Sequence, residues 1–372
     1  MASRSKVEIR RVVLAEHCSI KKIEFSYLRA IAAISVIVLH TFYAISFANP
    51  KVPLATTIAL RQLVNLQMWA VPTFIMVTGA LLLPPTKKTT YRNLFQKKIG
   101  RIVLAIVVFT AIYEAVDVLL FHHVPAQNFL FSWIKKVYSG RSWSPMWYLY
   151  MLIGLYLFLP AYKAVTEKFS KKDMLYLLSV YVFFLSVLPL LSTHIGKSGF
   201  YIHELTIYPF YLFLGYAVCE GWLDVKVRVS LVLFCLTSVV IVLLTSLRYR
   251  YALEWLESWW SYSSPLVILQ TFALFSFVRG ALHRTAEKEK MDKRQRKPSV
   301  LSMILQRVDA YSFGIYLVHI IWVKLFVEKA MPAFFGTIGL VAMGWAYVLL
   351  TCVLSYVVVA LLKRVKVINA IL

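Results

Sequence analysis

Phe25-Ser-Tyr-Leu-Arg29-Ala-Ile-Ala-Ala-Ile-Ser-Val-Ile-Val-Leu-His40 is apolar throughout except for one arginine, one histidine and two serines. Its length and content predict a first transmembrane helix. At about 100° per residue, Arg29 and His40 are separated by roughly three full turns. They therefore lie on one face, about 16 Å apart along the axis. A cation and an imidazole on one side of a membrane helix are expensive to bury and mark a site by default. Taken singly, Arg29 is equally readable as a residue snorkelling to the inner edge, and His40 as one bonded to a neighbouring helix. The pair in register favours function.

Outward from this helix, the composition agrees with a bilayer protein. Of 372 residues, 60% are hydrophobic and 16% charged, too apolar for a soluble globule of this size. Ten apolar segments are long enough to be membrane helices, near 25–47, 61–83, 101–121, 146–162, 173–191, 206–220, 227–247, 261–282, 312–330 and 336–362. The sixth is short and contains Pro209, so a broken or partly spanning segment is expected there. Nothing alternates as a membrane strand does. The expected fold is therefore all-α, a bundle of about ten transmembrane helices.

Charge gives the orientation. With the N-terminus inside, thirty of the forty-one Lys and Arg residues fall in inward segments, nine in outward ones, and Arg29 and Lys324 within helices. That bias predicts both termini in the cytoplasm. It also accounts for the net charge of +24 without nucleic acid, because the basic residues occupy every second loop instead of one face. Residues 1–22 read as a basic cytoplasmic tail, 23–372 as a single membrane domain, and 283–299 as a basic cytoplasmic loop. The first apolar run reads as a retained signal anchor. Cys18, Cys219, Cys235 and Cys352 are far apart and form no CxxC, so neither a disulfide framework nor a metal site is expected. The outward segments carry Trp133, Trp143, Trp147, Trp255, Trp259 and Trp260 with His122, His123, His194 and His203. Such tryptophans serve as interfacial anchors, and also as platforms on which a carbohydrate stacks.

Further stretches bear on chemistry. Thr78 and Gly79 form a small spot in a bulky helix, where close helix packing is the simpler reading. Lys98 and Arg101, three apart at the inner start of the third helix, share a face. They fit either ordinary positive-inside decoration or a phosphate-bearing cofactor. Ser312, Tyr316 and His319 are spaced i, i+4, i+7 and form a polar stripe. Glu114 and Asp117 are acids inside an apolar run, placed either to orient an imidazole or to neutralise a buried cation.

Taken together and in order, these features resemble membrane acyltransferase family 3, which includes O-acetyltransferases of bacterial surface polysaccharides. The resemblance rests on Arg29-x10-His40, Phe74-x4-Gly79 and Lys98-x2-Arg101. It rests also on Trp147-Tyr-Leu-Tyr-x5-Tyr156-Leu-x2-Pro160 and Ser312-x-Gly-Ile-Tyr-Leu-Val-His319, and covers about residues 22–362. The family often has arginine where this chain has Lys98, which keeps the charge but loses the planar fork. The resemblance implies acyl transfer from cytosolic acetyl-CoA as co-substrate, with no metal. The acceptor would be a glycan or lipid-linked sugar among membrane lipids, and the location a multi-pass bacterial inner membrane. It implies that Arg29 and His40 are the catalytic pair and that Arg29, Lys98 and Arg101 hold the donor. His40 would act as general base on the acceptor hydroxyl or as a nucleophile carrying the acyl group, the base role being simpler. Glu114, Asp117, Ser312, Tyr316 and His319 are further candidates. A competing reading is an exporter or flippase for a polysaccharide or its lipid-linked unit, since ten helices with intramembrane charge suit one. Against it, the hydropathy shows no inverted repeat.

Overall fold

The computed structural model describes residues 2–49, 51–196, 206–291, 299–331 and 336–372, with backbone alone at 2–22, 194–195, 286–291 and 367. The expected His203 and most of the basic 283–299 loop lie outside the described side chains. The described residues are mostly helical and contain no strand.

Helix α1 (Ala2–Ala48) carries Arg29 and His40. It is followed by α2 (Leu54–Asn65) and α3 (Ala70–Leu82), joined by a turn at residues 66–69. A π-helical segment, Asn93–Ile99, leads into α4 (Gly100–Val116). Helices α5 (Phe129–Ser139), α6 (Trp147–Leu157) and α7 (Leu159–Lys168) come next, and the 126–157 stretch bends by 52° into α7. Helices α8 (Lys171–Val182), α9 (Leu188–Ile195) and α10 (Tyr208–Cys219) precede the long α11 (Val227–Arg250) and α12 (Pro265–Met291). Helix α13 (Val300–Lys329), α14 (Gly336–Leu362) and the single turn α15 (Lys366–Asn369) complete the order.

Eight spans among the described residues are long and apolar enough to cross a membrane, and the bent stretch supplies a ninth if counted as one. The tenth apolar segment is α10. Its 12 residues give about 18 Å of helix, short of the roughly 30 Å hydrocarbon core. Every residue from Pro209 to Cys219 is buried, so α10 sits inside the bundle and meets no lipid. Protein groups tie it in place: Arg279 Nη2 donates to the Cys219 carbonyl at its C-terminal end (3.0 Å), and the Tyr211 hydroxyl donates to the Tyr262 carbonyl at 2.7 Å.

The small spot at Gly79 is explained by that placement. A Cβ on Gly79 would lie 2.0 Å from the Leu212 carbonyl oxygen, and one on Gly215 would lie 2.0 Å from that of Met76. Helices α3 and α10 thus cross backbone to backbone at a reciprocal glycine contact, while Thr78 Oγ1 bonds its own helix at the Phe74 carbonyl (2.8 Å).

The second segment starts earlier than the sequence reading placed it. Hydropathy put Arg61 at its outer border, but α2 begins at Leu54 and the membrane-length stretch runs Leu54–Leu82. The polar residues that hid this turn are paired across the bundle: Thr56 with Thr337 at 2.5 Å, Gln62 with Ser246 at 2.8 Å and Asn65 with Thr245 at 3.0 Å. Arg61 is therefore inside a helix.

Candidate active site

Helices α1 and α13 lie side by side and run in the same direction. Asp309, Ser312, Tyr316 and His319 share one face of α13 by their helical spacing. At one level Arg29 is held by Asp309 through two bonds, Nε to Oδ1 at 2.6 Å and Nη2 to Oδ2 at 2.8 Å. Ser26 Oγ donates to the same carboxylate at 2.6 Å. About three turns along, the His40 and His319 rings meet, with centroids 5.4 Å apart and planes inclined by 40°. Arg29 and His40 therefore both face α13.

His319 is fully buried, and its Nδ1 lies 2.6 Å from the Tyr316 carbonyl. A carbonyl only accepts, so Nδ1 carries a proton and, in the neutral ring, Nε2 is a bare acceptor. That Nε2 is buried without a hydrogen-bond partner. Tyr316 donates its hydroxyl to the Pro145 carbonyl, which ties α13 to the 143–147 segment. Tyr113 of α4 donates to the Leu317 carbonyl at 2.5 Å. The His319 turn of α13 is thus held from three sides. On the remaining side, a cavity of about 270 Å³ opens over His40, lined by Tyr43, Phe47, Trp143, Ser144, Val323 and Lys324 among others.

In the other direction along the bundle, aromatic rings continue from the histidines. Tyr316 stands 5.9 Å from His319 and 5.6 Å from Tyr148, which stands 6.3 Å from Phe74. Beyond them are the cations. Lys98 Nζ lies 5.7 Å over the Tyr156 ring, and the Arg101 guanidinium 4.9 Å over Phe313. Arg101 also bonds the backbone carbonyls of Ile371 at 2.8 Å and Leu372 at 2.6 Å. Lys98 and Arg101 both turn toward the bundle, against different elements.

Glu114 and Asp117 do not touch the histidine pair. Lys136 of α5 pairs with Glu114 and lies 3.5 Å from Asp117. Lys324 of α13 bonds Asp117 at 2.7 Å, and Trp143 Nε1 donates to it at 2.8 Å. The acids neutralise cations drawn from two other helices, as buried charges require. Trp133 donates to the Val107 carbonyl at 3.0 Å, so α5 packs along α4. Ser312 lies between Asp309 and Tyr316 on the α13 face.

Several of these partners escaped the sequence reading. Asp309 sits just past Arg307 at the edge of a basic run, and an acid there is the signal that α1's arginine needs a counter-ion. Lys136 lay in an apparent outer loop. Among the described residues no three His, Cys, Asp or Glu side chains are grouped as a metal site requires.

The acyltransferase domain of membrane acyltransferase family 3 matches residues 22–364. No curated protein and no solved structure matches the chain. With nearly the whole multi-helix domain inside that match, the chain belongs to acyltransferase family 3, a family of membrane acyltransferases.

Proposed function

We propose that this protein moves an acetyl group from cytosolic acetyl-CoA to a sugar hydroxyl of a surface polysaccharide or lipid-linked glycan, in a bacterial inner membrane. The observation that carries the reading is the buried His40–His319 contact, with a cavity over His40 on one side and a run of rings ending at Lys98 and Arg101 on the other. That arrangement supports entry of the two substrates from opposite ends.

Lys98 and Arg101 hold the donor's phosphates from the cytoplasmic end, where the positive-inside bias places them. Arg101 exchanges two backbone carbonyls for phosphate oxygens when it does so. Arg29 gives Nε and Nη2 to Asp309 and keeps Nη1 for the donor. The thioester then lies near His40. His40 accepts the proton of the acceptor hydroxyl as its oxygen bonds the carbonyl carbon. The carbon–sulfur bond breaks, and the proton passes from His40 to the departing CoA thiolate. His319 keeps its Nε2 as an acceptor within the same enclosure.

The test is acetyl transfer by His40→Ala in membranes where insertion is verified by fluorescence of a fused tag. Transfer is expected to vanish while insertion is normal. Retained transfer removes His40 from the mechanism.

A further inference from the structure

Arg61 stands inside α2, in a membrane-length segment, and has no carboxylate partner among the described residues. Its guanidinium lies 5.0 Å from the ring centroid of Phe47 and 5.5 Å from that of Tyr43, the two rings being 4.6 Å apart. Its Nε is buried with no hydrogen-bond acceptor. Aromatic faces stabilise a cation by about 1–2 kcal/mol but give the buried Nε–H no directed acceptor. The described cations nearest the histidines are arranged differently, since Arg29, Lys136 and Lys324 each have an acid.

Tyr43 and Phe47 also line the cavity over His40. They lie one and two turns beyond His40 on α1, about 4.5 and 10 Å along the axis. The cavity wall is mostly apolar in area, formed by Tyr43, Ala44, Phe47, Trp143, Ile320 and Val323, with His40, Ser144 and Lys324 as its other residues. Tyr43 and Phe47 are 41% and 59% exposed, so an apolar ramp leads from the helix surface to His40. A water-borne polysaccharide meets few hydrogen-bond partners on such a wall. An acceptor carried on a lipid chain, with a phosphate between chain and sugar, matches it feature by feature. The chain would run along the Tyr43 and Phe47 rings, the phosphate would meet Arg61 beside them, and the sugar hydroxyls would reach His40.

We infer that Arg61 is the anion-binding residue of the acceptor site, and that the acceptor is a glycan joined through phosphate to a membrane-embedded lipid chain. This rests on the acyl-transfer reading above and selects one of its two acceptor classes.

The test uses the full chain in detergent with three probes: a polyisoprenyl monophosphate, the polyisoprenol of equal length, and inorganic phosphate. Acetyl-CoA binding is measured on the same samples. The wild type is expected to bind the polyisoprenyl phosphate at least about tenfold more tightly than the alcohol, the size of one charge-assisted contact. Arg61→Gln is expected to remove that difference, and Arg61→Lys to keep part of it. Acetyl-CoA binding stays the same in both variants, which also shows that they are folded. Equal binding of phosphate and alcohol by the wild type overturns the inference, as does an unchanged preference in Arg61→Gln. Full competition by inorganic phosphate at equal concentration overturns the lipid part, because it marks a site for a free anion. Loss of acetyl-CoA binding in the wild type instead sinks the donor reading, and so separates the two failures.

Discussion

The Arg29–Asp309 contact uses the planar fork of arginine against both oxygens of a carboxylate. Lysine keeps the charge but makes only one such bond. Arg29→Lys is therefore expected to lower thermal stability even without donor. Arg29→Ala leaves Asp309 mostly enclosed and uncompensated, a loss of about 3 kcal/mol. Melting of both variants in detergent checks this, and a wild-type melting point in Arg29→Ala would contradict it. The arginine thus holds α1 in register with α13, and in the proposed function it also meets the donor. His319 is a different case. Its Nδ1–H is fixed by its own helix, and its free Nε2 stands beside His40. We expect His319→Ala to lower kcat by about a hundredfold, the low end for a group taking part in proton transfer, with donor KM unchanged. A drop confined to KM would make His319 a binding residue only.

At the scale of elements, the site depends on helices that approach closely. The α3–α10 crossing admits no side chain at Gly79, because the nearest obstacle is backbone and not a movable side-chain tip. Gly79→Ala is expected to cost about 3 kcal/mol or more through displacement of α10. Gly154 of α6 has nothing within 4 Å of a built Cβ, so Gly154→Ala is expected to be neutral or slightly stabilising. Thermal unfolding of the two variants side by side is the check, and equal melting points would contradict the crossing. Helix existence was legible in the sequence because apolar runs of this length have few other folds. The edges were legible only where polarity changes at the membrane border. At α2 it does not change there, since Thr56, Gln62 and Asn65 find partners inside the bundle, and Arg61 was accordingly placed one element too far out. The shortness of α10 was visible, but its reason was not, because burial inside a bundle leaves no mark that lipid exposure would not also leave.

For the whole molecule, three parallel helices set the order of the site. Helices α1, α4 and α13 meet at successive levels: Arg29 with Asp309 and Arg101 over Phe313, then His40 with His319 and Tyr113 with Leu317, then Asp117 with Lys324. The Arg29-x10-His40 spacing announced two of these levels on one helix. The partners came from residues some 280 positions away, which spacing within one segment does not reveal. Glu114 and Asp117 were legible as costly acids, while their actual partners, Lys136 and Lys324, become evident only once α5 folds back along α4. Entry of a cytosolic acyl thioester at the Lys98–Arg101 end is the step on which the proposed function turns. It is tested most directly by acetyl-CoA binding to the purified protein, with Arg101→Ala alongside. Saturable binding that weakens by about tenfold or more in Arg101→Ala, as loss of a charge-assisted phosphate contact predicts, supports the account. Folded wild-type protein that binds neither acetyl-CoA nor another acyl-CoA would contradict it.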